Sequence, residues 1–309
     1  MVRYTERVDE LFSAQLRDWE LARVNYALLS KVKTRAIEFE GFRIFVQFNP
    51  ERMRSSAAKV DTKSIESRPC FLCEKNRPSE QKGVPFGKDL TILINPFPIF
   101  SRHLTIPTEK HIDQRIAGSF SRMLDLAEAI PEYVVFYNGP QCGASAPDHL
   151  HFQAGKIGFL PIEKDFEERK LVRLLSGRNQ VEIWHWRDYL RGIITLKGSD
   201  KEEIISAFNS FFERFYHLQP DKPEPMLNIL AYYNIDDWII HLIPRKIHRP
   251  VQFFAKGDDQ ILLSPASVDL GGVIITPREE DFNKITASDI KDIFCQVCID
   301  ENEAMSFFC

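Results

Sequence analysis

The sequence has no long hydrophobic run and no excess of positive charge. None of its apolar runs approaches the roughly 18 residues needed to span a membrane. The segment MVRYTERVDELF alternates charged with apolar residues and lacks the hydrophobic region of a signal peptide. The formal net charge is −4, which argues against electrostatic binding of nucleic acid. We therefore expect a cytoplasmic protein that acts on neither membranes nor nucleic acids.

Low-complexity tracts and recognisable flexible linkers are also absent. Hydrophobic residues make up 44% of the 309 residues and charged residues 27%, which is the balance of a globular protein with a sizeable core. At roughly 150 residues per domain, the chain has room for about two domains. We expect two halves that pack closely together.

Cysteine is too scarce to predict a disulfide framework. The chain has six cysteines, and without a signal peptide that number does not indicate a secreted, cross-linked protein. Four of them form two Cys-x-x-Cys pairs, Cys70/Cys73 and Cys295/Cys298. In a reducing compartment this spacing favours a metal site over a disulfide.

Hydrophobic periodicity predicts strands alternating with helices in both halves. The first half is predicted to contain a helix over 5–31, a strand over Ala36–Phe48, strands over Leu90–Ile94 and His103–Ile106, a helix over Asp113–Ala129, and strands over Tyr133–Tyr137 and His149–Ala154. The second half is predicted to contain a strand over Gly192–Leu196, a helix over Lys201–Leu218, strands over Leu227–Tyr233 and Trp238–Ile243, and a helix near 287–301.

The order strand, helix, strand, turn, strand occurs twice, about 90 residues apart. We interpret this as an internal duplication without obvious sequence identity, in which His151 and His241 stand at comparable places. Such an order is typical of an α+β fold with a largely antiparallel sheet. We expect a first domain over residues 1–160 and a degenerate second copy over 161–309.

The segment DHLHFQ is the most informative part of the sequence. Alternate residues of a strand share a face, so His149, His151 and Gln153 are predicted to project one way and the apolar residues between them into a core. A row of polar side chains can line a site or form a solvent-exposed sheet face, and the pattern alone leaves both open.

A loop of small residues, NGPQCGASAPD, precedes this segment. Gly139, Gly143, Ala144 and Ser145 let backbone N–H groups approach a ligand closely, as in an anion-binding nest. A neutral histidine two residues from a glutamine, opposite such a nest, is suited to attack on phosphorus. Such loops are also common between strands, so the loop alone is weak support.

Spacing leaves three interpretations of the cysteines open. Cys70 and Cys73 can reach one ion, and a structural zinc ion takes four nitrogen or sulfur ligands. His111 with His149 could complete this set, and so could the C-terminal cysteine pair. In the third interpretation these residues are ordinary buried thiols and core histidines.

Two basic clusters have no assigned role. They could receive a sugar phosphate or a distal phosphate group, or they could be solvated loops. The clusters are Arg245, Lys246, His248 and Arg249 in the second half, and Arg52, Arg54 and Lys59 in the first.

Taken together, the segments RPCFLCEKNRP, NPFP, SRHLTIPTEKH and NGPQCGASAPDHLHFQ resemble the nucleotidyltransferase branch of the histidine-triad superfamily. This branch contains galactose-1-phosphate uridylyltransferase, diadenosine tetraphosphate phosphorylase and GDP-galactose phosphorylase. The resemblance covers about residues 45–160 and continues more weakly over 263–283. It implies an α+β, duplicated histidine-triad-like fold with a mostly antiparallel sheet and packed helices. HLHFQ is closer to the phosphorylases, since the uridylyltransferases have Pro and Gly where this chain has Leu150 and Phe152.

The resemblance also implies roles for individual residues. His151 would be the nucleophile that takes up a nucleoside monophosphate, and Gln153 would hold a phosphate oxygen and keep the covalent intermediate from rapid hydrolysis. The residues implied to contact nucleotide and phosphates are Asn95, Asn138, Gly143 and Ser145. The residues implied to hold a structural zinc ion are Cys70, Cys73, His111 and His149.

We therefore expect a nucleotidyltransferase or phosphorylase that acts on a nucleotide sugar or dinucleoside polyphosphate by double displacement. The acceptor would be a sugar 1-phosphate or inorganic phosphate, and a homodimer is compatible with the sequence. One alternative is a hydrolase of the same superfamily, against which Gln153 argues. The other is a non-catalytic, zinc-stabilised nucleotide-binding protein.

Overall fold

The computed structural model describes residues 4–52, 64, 65, 67–178 and 180–307, so Arg54 and Lys59 lie outside the described residues. Its helices are α1 (Tyr4–Asp18), α2 (Glu20–Leu28), α3 (Phe120–Ala129), α4 (Pro161–Glu168), α5 (Lys201–Leu218), α6 (Val251–Phe254), α7 (Ser267–Leu270), α8 (Glu279–Lys284), α9 (Ala287–Val297) and α10 (Glu301–Ser306). None of these helices has the length and apolar content needed to cross a bilayer.

Thirteen strands form two sheets in this part of the chain. The strands are β1 (Lys33–Phe39), β2 (Phe42–Phe48), β3 (Gly83–Phe86), β4 (Leu90–Ile94), β5 (His103–Pro107), β6 (Tyr133–Asn138), β7 (His151–Lys156), β8 (Val172–Arg178), β9 (Val181–Trp186), β10 (Ile194–Gly198), β11 (Leu227–Asn234), β12 (Asp237–Pro244) and β13 (Val273–Thr276).

The main sheet has ten strands in the order β3-β4-β5-β7-β6-β11-β12-β10-β9-β8. All neighbouring strands are antiparallel, and the order of the second five mirrors that of the first five. The α+β prediction with a mostly antiparallel sheet is therefore confirmed. β6 pairs with β11 from Asn138↔Asn228 to Val135↔Ala231, so the sheet continues from one half into the other. The division into domains 1–160 and 161–309 stays a prediction.

The main sheet buries a separate core on each face. Helices α1, α2, α3 and α5 cover one face. The other face packs against α4, α9 and a small sheet in which β2 pairs antiparallel with β1 and parallel with β13. Strand alternation separates the two cores, since Val135 lies in the first and Phe136 in the second. Leu150, Phe152 and Ala154 lie in the helix-covered core, as the alternation of DHLHFQ predicts.

Three of the predicted elements have different bounds in the structure. The single strand predicted over Ala36–Phe48 is a hairpin, and Gly41, at φ +84°, makes its turn. The helix predicted from Asp113 begins only at Phe120. The N-terminal helix is interrupted at Trp19, which has an extended backbone.

The sequence analysis missed β8, β9 and α4. β8 is an edge strand of the main sheet, and of its described side chains only that of Val172 is buried. An edge strand with little burial lacks the apolar alternation by which strands are recognised. The pair of strands completes the second half of the sheet, next to β10.

The two helices that recur in the duplicated halves stack against each other. Phe120 of α3 and Phe208 of α5 lie with ring centroids 3.8 Å apart and an interplanar angle of 11°. Phe208 is 1% exposed. This contact joins the halves on the helical side, as the β6–β11 pairing joins them within the sheet.

We predict that Phe208→Ala lowers the free energy of unfolding by about 3–5 kcal/mol, because it leaves a cavity between the two helices. The matched control is Phe254→Ala, which truncates a side chain that is 67% exposed and should change stability by less than about 0.5 kcal/mol. Guanidinium unfolding of both variants measures the difference. Equal losses would contradict the assignment of this contact to the core.

Candidate functional site

A cavity of about 600 Å³ opens on the face of β5, β6 and β7 that looks toward α7 and β13. This volume is in the range of small-molecule sites. Residues of both halves of the chain line it. The lining includes all six residues predicted to be catalytic or to bind substrate, which are His151, Gln153, Asn95, Asn138, Gly143 and Ser145.

His151 is the first residue of β7, and its ring is held in one tautomer. Nδ1 lies 2.7 Å from the carbonyl oxygen of His149. A carbonyl only accepts, so Nδ1 carries the proton and Nε2 keeps its lone pair. Burial lowers the pKa of His151 to about 4, although the His149 carbonyl acts in the opposite direction. The imidazole is therefore neutral at pH 7.

Gln114 fixes the backbone of His151 and was missed by the sequence analysis. Its Oε1 accepts from the His151 amide at 2.8 Å, and its Nε2 donates to the carbonyls of Asn138 at 2.9 Å and His151 at 3.0 Å. The fully buried side chain thus ties the end of β6 to the start of β7. A single glutamine inside a predicted helix carries no sequence signal for this role.

The amide of Gln153 is oriented by a buried histidine, His103, that sequence reasoning also missed. The Ile99 amide donates to Nδ1 of His103 at 3.3 Å, so the ring proton is on Nε2, which lies 3.1 Å from Oε1 of Gln153. Gln153 therefore accepts on Oε1 and has its NH₂ group left for the cavity. Burial lowers the pKa of His103 to about 3, so its ring is neutral.

The small-residue loop is fastened to the second half of the chain. Oδ1 of Asn138 accepts from Nδ2 of Asn228 at 2.8 Å and from the amide and hydroxyl of Ser267 at 2.9 and 2.7 Å. Gly143 has φ +97°, and a Cβ there would lie 2.6 Å from that of Ala266. Only glycine fits this close approach.

Asn95 and Ser145 also have fixed positions in the cavity wall. Asn95 donates to Oγ1 of Thr105 at 3.0 Å and accepts from the Phe97 amide at 2.9 Å, which shapes the NPFP turn. The carbonyl of Ser145 accepts from Nη2 of Arg68 at 2.8 Å. Arg68 itself lines the cavity, and no role was predicted for it.

Cys70, Cys73, His111 and His149 form a cluster beside the cavity. Their candidate ligand atoms all lie within 4.8 Å of one another. The cysteine–histidine contacts are 3.3 Å for Cys70–His149 and for Cys73–His111, and 3.6 Å for Cys73–His149. Ligands of a tetrahedral zinc ion are separated by about 3.6 Å from sulfur to nitrogen. Nε2 of His149 faces the carbonyl of Thr108 at 2.8 Å, which leaves Nδ1 for a metal. The donor set and its spacing fit a metal ion.

His149 does not lie in a strand, contrary to prediction. It precedes β7, and its ring turns to the cysteines while that of His151 lines the cavity. Because His149 falls in a bend, strand alternation does not govern its direction. The side chain of His149 therefore contacts the cysteines, whereas that of His151, two residues later, lines the cavity.

Cys70, Cys73, His111 and His149 are called the metal-type cluster below. Among the residues described, this cluster does not include the C-terminal cysteine pair. Cys295 is exposed, and Cys298 is buried next to Arg245, with which it forms a β-bridge. Asp148 adjoins the cluster instead, with its carboxylate 3.5 Å from Nε2 of His111 and 3.9 Å from Nη2 of Arg68. A carboxylate beside the far nitrogen of a ligating histidine is typical of metal sites.

The basic cluster of the second half divides into different roles. Arg245 is fully buried and is engaged by protein oxygens. Its guanidinium donates to the carbonyls of Val297, Pro265, Ile247 and His248 and to Oδ1 of Asn228, at 2.7–3.1 Å. Lys246 is exposed, whereas His248 and Arg249 line the cavity, together with Arg52 of the first half.

His241 is not the counterpart of His151 in register. It pairs with Thr195 across β10 and β12, as Gln153 pairs with Thr105 across β5 and β7. Its Nδ1 lies 2.7 Å from Oγ1 of Thr195, and its side chain is fully buried. It does not line the cavity.

Comparison with known proteins relates each half to a family. Residues 11–156 match the family described as a domain of unknown function, DUF4922, and residues 165–306 match the family described as GDPGP1-like, C-terminal domain. No curated protein matches the chain.

Among solved structures, the chain is similar to yeast Ap4A phosphorylase Apa2. The AMP complex has a TM-score of 0.59 at 16% identity, covering 92% of this chain and 96% of that chain. The Ap4A complex has a TM-score of 0.57 at 16% identity, covering 91% and 96%. The match of residues 165–306 to a GDPGP1-like C-terminal domain and the shared fold support the nucleotidyltransferase branch of the histidine-triad superfamily, which the motifs of the chain resemble.

Proposed function

We propose that this protein transfers a nucleotidyl group through His151, as a phosphorylase or nucleotidyltransferase acting on a nucleotide sugar or dinucleoside polyphosphate. One observation carries the proposal: a neutral imidazole in a single tautomer lines a cavity of about 600 Å³. The solved Ap4A phosphorylase complexes with AMP and Ap4A support this class of substrate. The GDPGP1-like C-terminal domain supports it as well.

The reaction would proceed in two displacements at one phosphorus atom. Nε2 of His151 attacks the α-phosphorus, a P–N bond forms, and the bond to the bridging oxygen breaks, so the leaving group departs as a phosphate anion. The NH₂ group of Gln153 and the N–H groups of the loop around Gly143 stabilise the charge on the non-bridging oxygens. An oxygen of the phosphate acceptor then attacks the same phosphorus, and the P–N electron pair returns to Nε2.

The metal-type cluster would hold a structural zinc ion, because two thiolates and two imidazoles are a donor set that zinc prefers. Its ligand His149 also supplies the carbonyl that holds Nδ1 of His151. Anchoring His149 through its side chain therefore restricts the position of the catalytic ring.

Phosphorus-31 NMR tests the proposed reaction with a panel of nucleotide sugars and dinucleoside polyphosphates, with and without inorganic phosphate or a sugar 1-phosphate. We predict cleavage that depends on the added acceptor. In His151→Ala the rate of cleavage should be at least about 10⁴-fold lower. Rapid release of nucleoside monophosphate in water alone would instead identify a hydrolase. Binding without turnover across the panel would contradict catalysis.

Metal analysis tests the zinc proposal. Wild-type protein should carry about one zinc ion per chain, and Cys73→Ser should lose it because three ligands bind structural zinc poorly. The matched control is Cys295→Ser, which changes an exposed cysteine outside the cluster and should retain zinc. The reverse pattern, with loss only in the control, would assign the metal to the C-terminal pair.

The role of His103 is tested by a double-mutant cycle. His103→Phe removes the donor that orients Gln153 while keeping an aromatic ring in the core, and we predict a fall in kcat of about 10-fold or more. Adding it to Gln153→Ala should cause little further loss, because the two side chains act as one unit. His103→Asn, which can still donate, should recover part of kcat. Additive losses would show that His103 contributes only to packing.

A further inference from the structure

The cysteines of the second pair, Cys295 and Cys298, lie outside both the cavity lining and the metal-type cluster. Cys295 is an exposed residue of α9, and Cys298, directly after that helix, is buried. The amide of Cys298 still donates to the carbonyl of Phe294 at 2.9 Å. The two cysteines therefore stand three residues apart on the last turn of the helix.

The carbonyl of Val297, between the two cysteines, holds the start of the loop that follows β12. It accepts from the Lys246 amide at 2.9 Å and from Nε of Arg245 at 3.1 Å. Nη2 of the buried Arg245 donates in turn to the carbonyls of Ile247 at 3.1 Å and His248 at 2.9 Å. One carbonyl of this turn thus anchors both the loop and the arginine that fixes its backbone.

The side chain of Gln296, the other residue between the cysteines, holds the end of the same loop. Its Oε1 accepts from the Val251 amide at 2.9 Å. Residues 246–251, which we call the tethered loop, are therefore bound at both ends to the turn that the cysteines flank. His248 and Arg249 of this loop line the cavity.

A disulfide between the two cysteines would tighten this turn. Cα atoms three residues apart in an α-helix are about 5 Å apart, which lies within the roughly 4.4–6.8 Å that a disulfide spans. The Cβ atoms at this spacing are about 5–6 Å apart, whereas a disulfide holds them at roughly 3.5–4.5 Å. Closing the bridge therefore moves the turn, and with it the two groups that hold the tethered loop.

The two thiols differ in their access to an oxidant. Cys295 is exposed and open to small molecules in solution. Burial raises the pKa of the Cys298 thiol, and Arg245 and Arg191 act in the opposite direction. A buried thiol with a raised pKa reacts slowly with an external oxidant. Oxidation would therefore begin at Cys295, and Cys298 would complete the bridge.

We propose that Cys295 and Cys298 form a reversible dithiol–disulfide site whose oxidation by hydrogen peroxide loosens the tethered loop at the edge of the cavity. The sulfur of Cys295 attacks one peroxide oxygen, the O–O bond breaks, and a sulfenic acid and water form. The sulfur of Cys298 then attacks that of Cys295. The S–S bond forms, the S–O bond breaks, and the hydroxyl group leaves as water with the proton of the second thiol.

The two sulfur atoms are thus oxidised to a disulfide while the peroxide is reduced to two water molecules. A dithiol reductant reverses the reaction by thiol–disulfide exchange and is itself oxidised to a disulfide. The bridge and its effect on the loop are independent of the proposed function. Its effect on nucleotidyl transfer rests on that function.

Peptide mapping and hydrogen exchange test the site without any substrate. The full chain is treated with hydrogen peroxide and then with dithiothreitol. We expect a bridge between Cys295 and Cys298, seen as the loss of two hydrogen atoms in mass, that dithiothreitol removes. In oxidised protein the amides of Lys246 and Val251 should exchange at least about 10-fold faster, because their acceptors have moved.

Two single-cysteine variants serve as controls. Cys295→Ser changes an exposed side chain and should show neither the bridge nor the faster exchange. It keeps Cys70 and Cys73, so peroxide damage to the metal-type cluster would affect this variant and wild-type protein alike. Cys309→Ser removes another cysteine of the same C-terminal region and should behave like wild-type protein.

Under the proposed function, oxidation should also lower the rate of acceptor-dependent cleavage. We expect a fall of at least about 5-fold in wild-type protein that dithiothreitol reverses, and a change of less than about 2-fold in Cys295→Ser. The loop lines the cavity, so its displacement changes the shape of the site.

The possible failures are distinguishable. Absence of the bridge, or a bridge from either cysteine to a different one, would overturn the proposal. A bridge that leaves the exchange of Lys246 and Val251 unchanged would overturn the coupling to the loop. If the bridge forms and exchange increases, but no substrate is cleaved before or after oxidation, the proposed function fails while the redox site stands.

Discussion

The hydrogen bond from Nδ1 of His151 to the carbonyl of His149 is the interaction on which the site depends. It fixes the proton on Nδ1 and leaves the lone pair on Nε2. Burial keeps the ring neutral, and Gln114 fixes the backbone that carries it. The same residue, His149, belongs to the metal-type cluster. The short stretch from His149 to His151 is therefore held at one end by the cluster and at the other end by Gln114.

The second half of the molecule completes this site instead of repeating it. Asn228 and Ser267 hold Asn138, and Arg245 holds the loop that reaches the cavity. Where Gln153 stands in the first half, the second half has a buried His241, bonded to Thr195 and away from the cavity. The duplicated sheet thus supports one cavity with unequal contributions from its two parts.

The site residues that the local motifs suggested lie together in the structure. His151, Gln153, Asn95, Asn138, Gly143 and Ser145 all line the cavity, because a loop and its adjoining strand bring them together. The cluster of Cys70, Cys73, His111 and His149 was expected from the family resemblance, since spacing alone left other ligand sets open. The roles of all these residues stay predictions.

The features of the site that the sequence did not predict depend on tertiary contacts. Gln114 and His103 act through hydrogen bonds to distant strands, and single polar residues have no periodic signal. Arg245 and Arg249 look alike in sequence. In the structure Arg245 is buried among carbonyls, whereas Arg249 lines the cavity. The charge of a residue does not show whether its side chain is buried. The turn at Gly41 was hidden by apolar residues on both of its sides.

The most direct test of the central claim is to trap the covalent intermediate. Protein that is mixed with its donor substrate in the absence of acceptor, and quenched in base, should gain the mass of one nucleotidyl group. Peptide mapping should locate that group on Nε2 of His151, and His151→Asn should not be modified. A nucleotidyl group on another residue, or turnover of wild-type protein with no trapped group, would contradict the account.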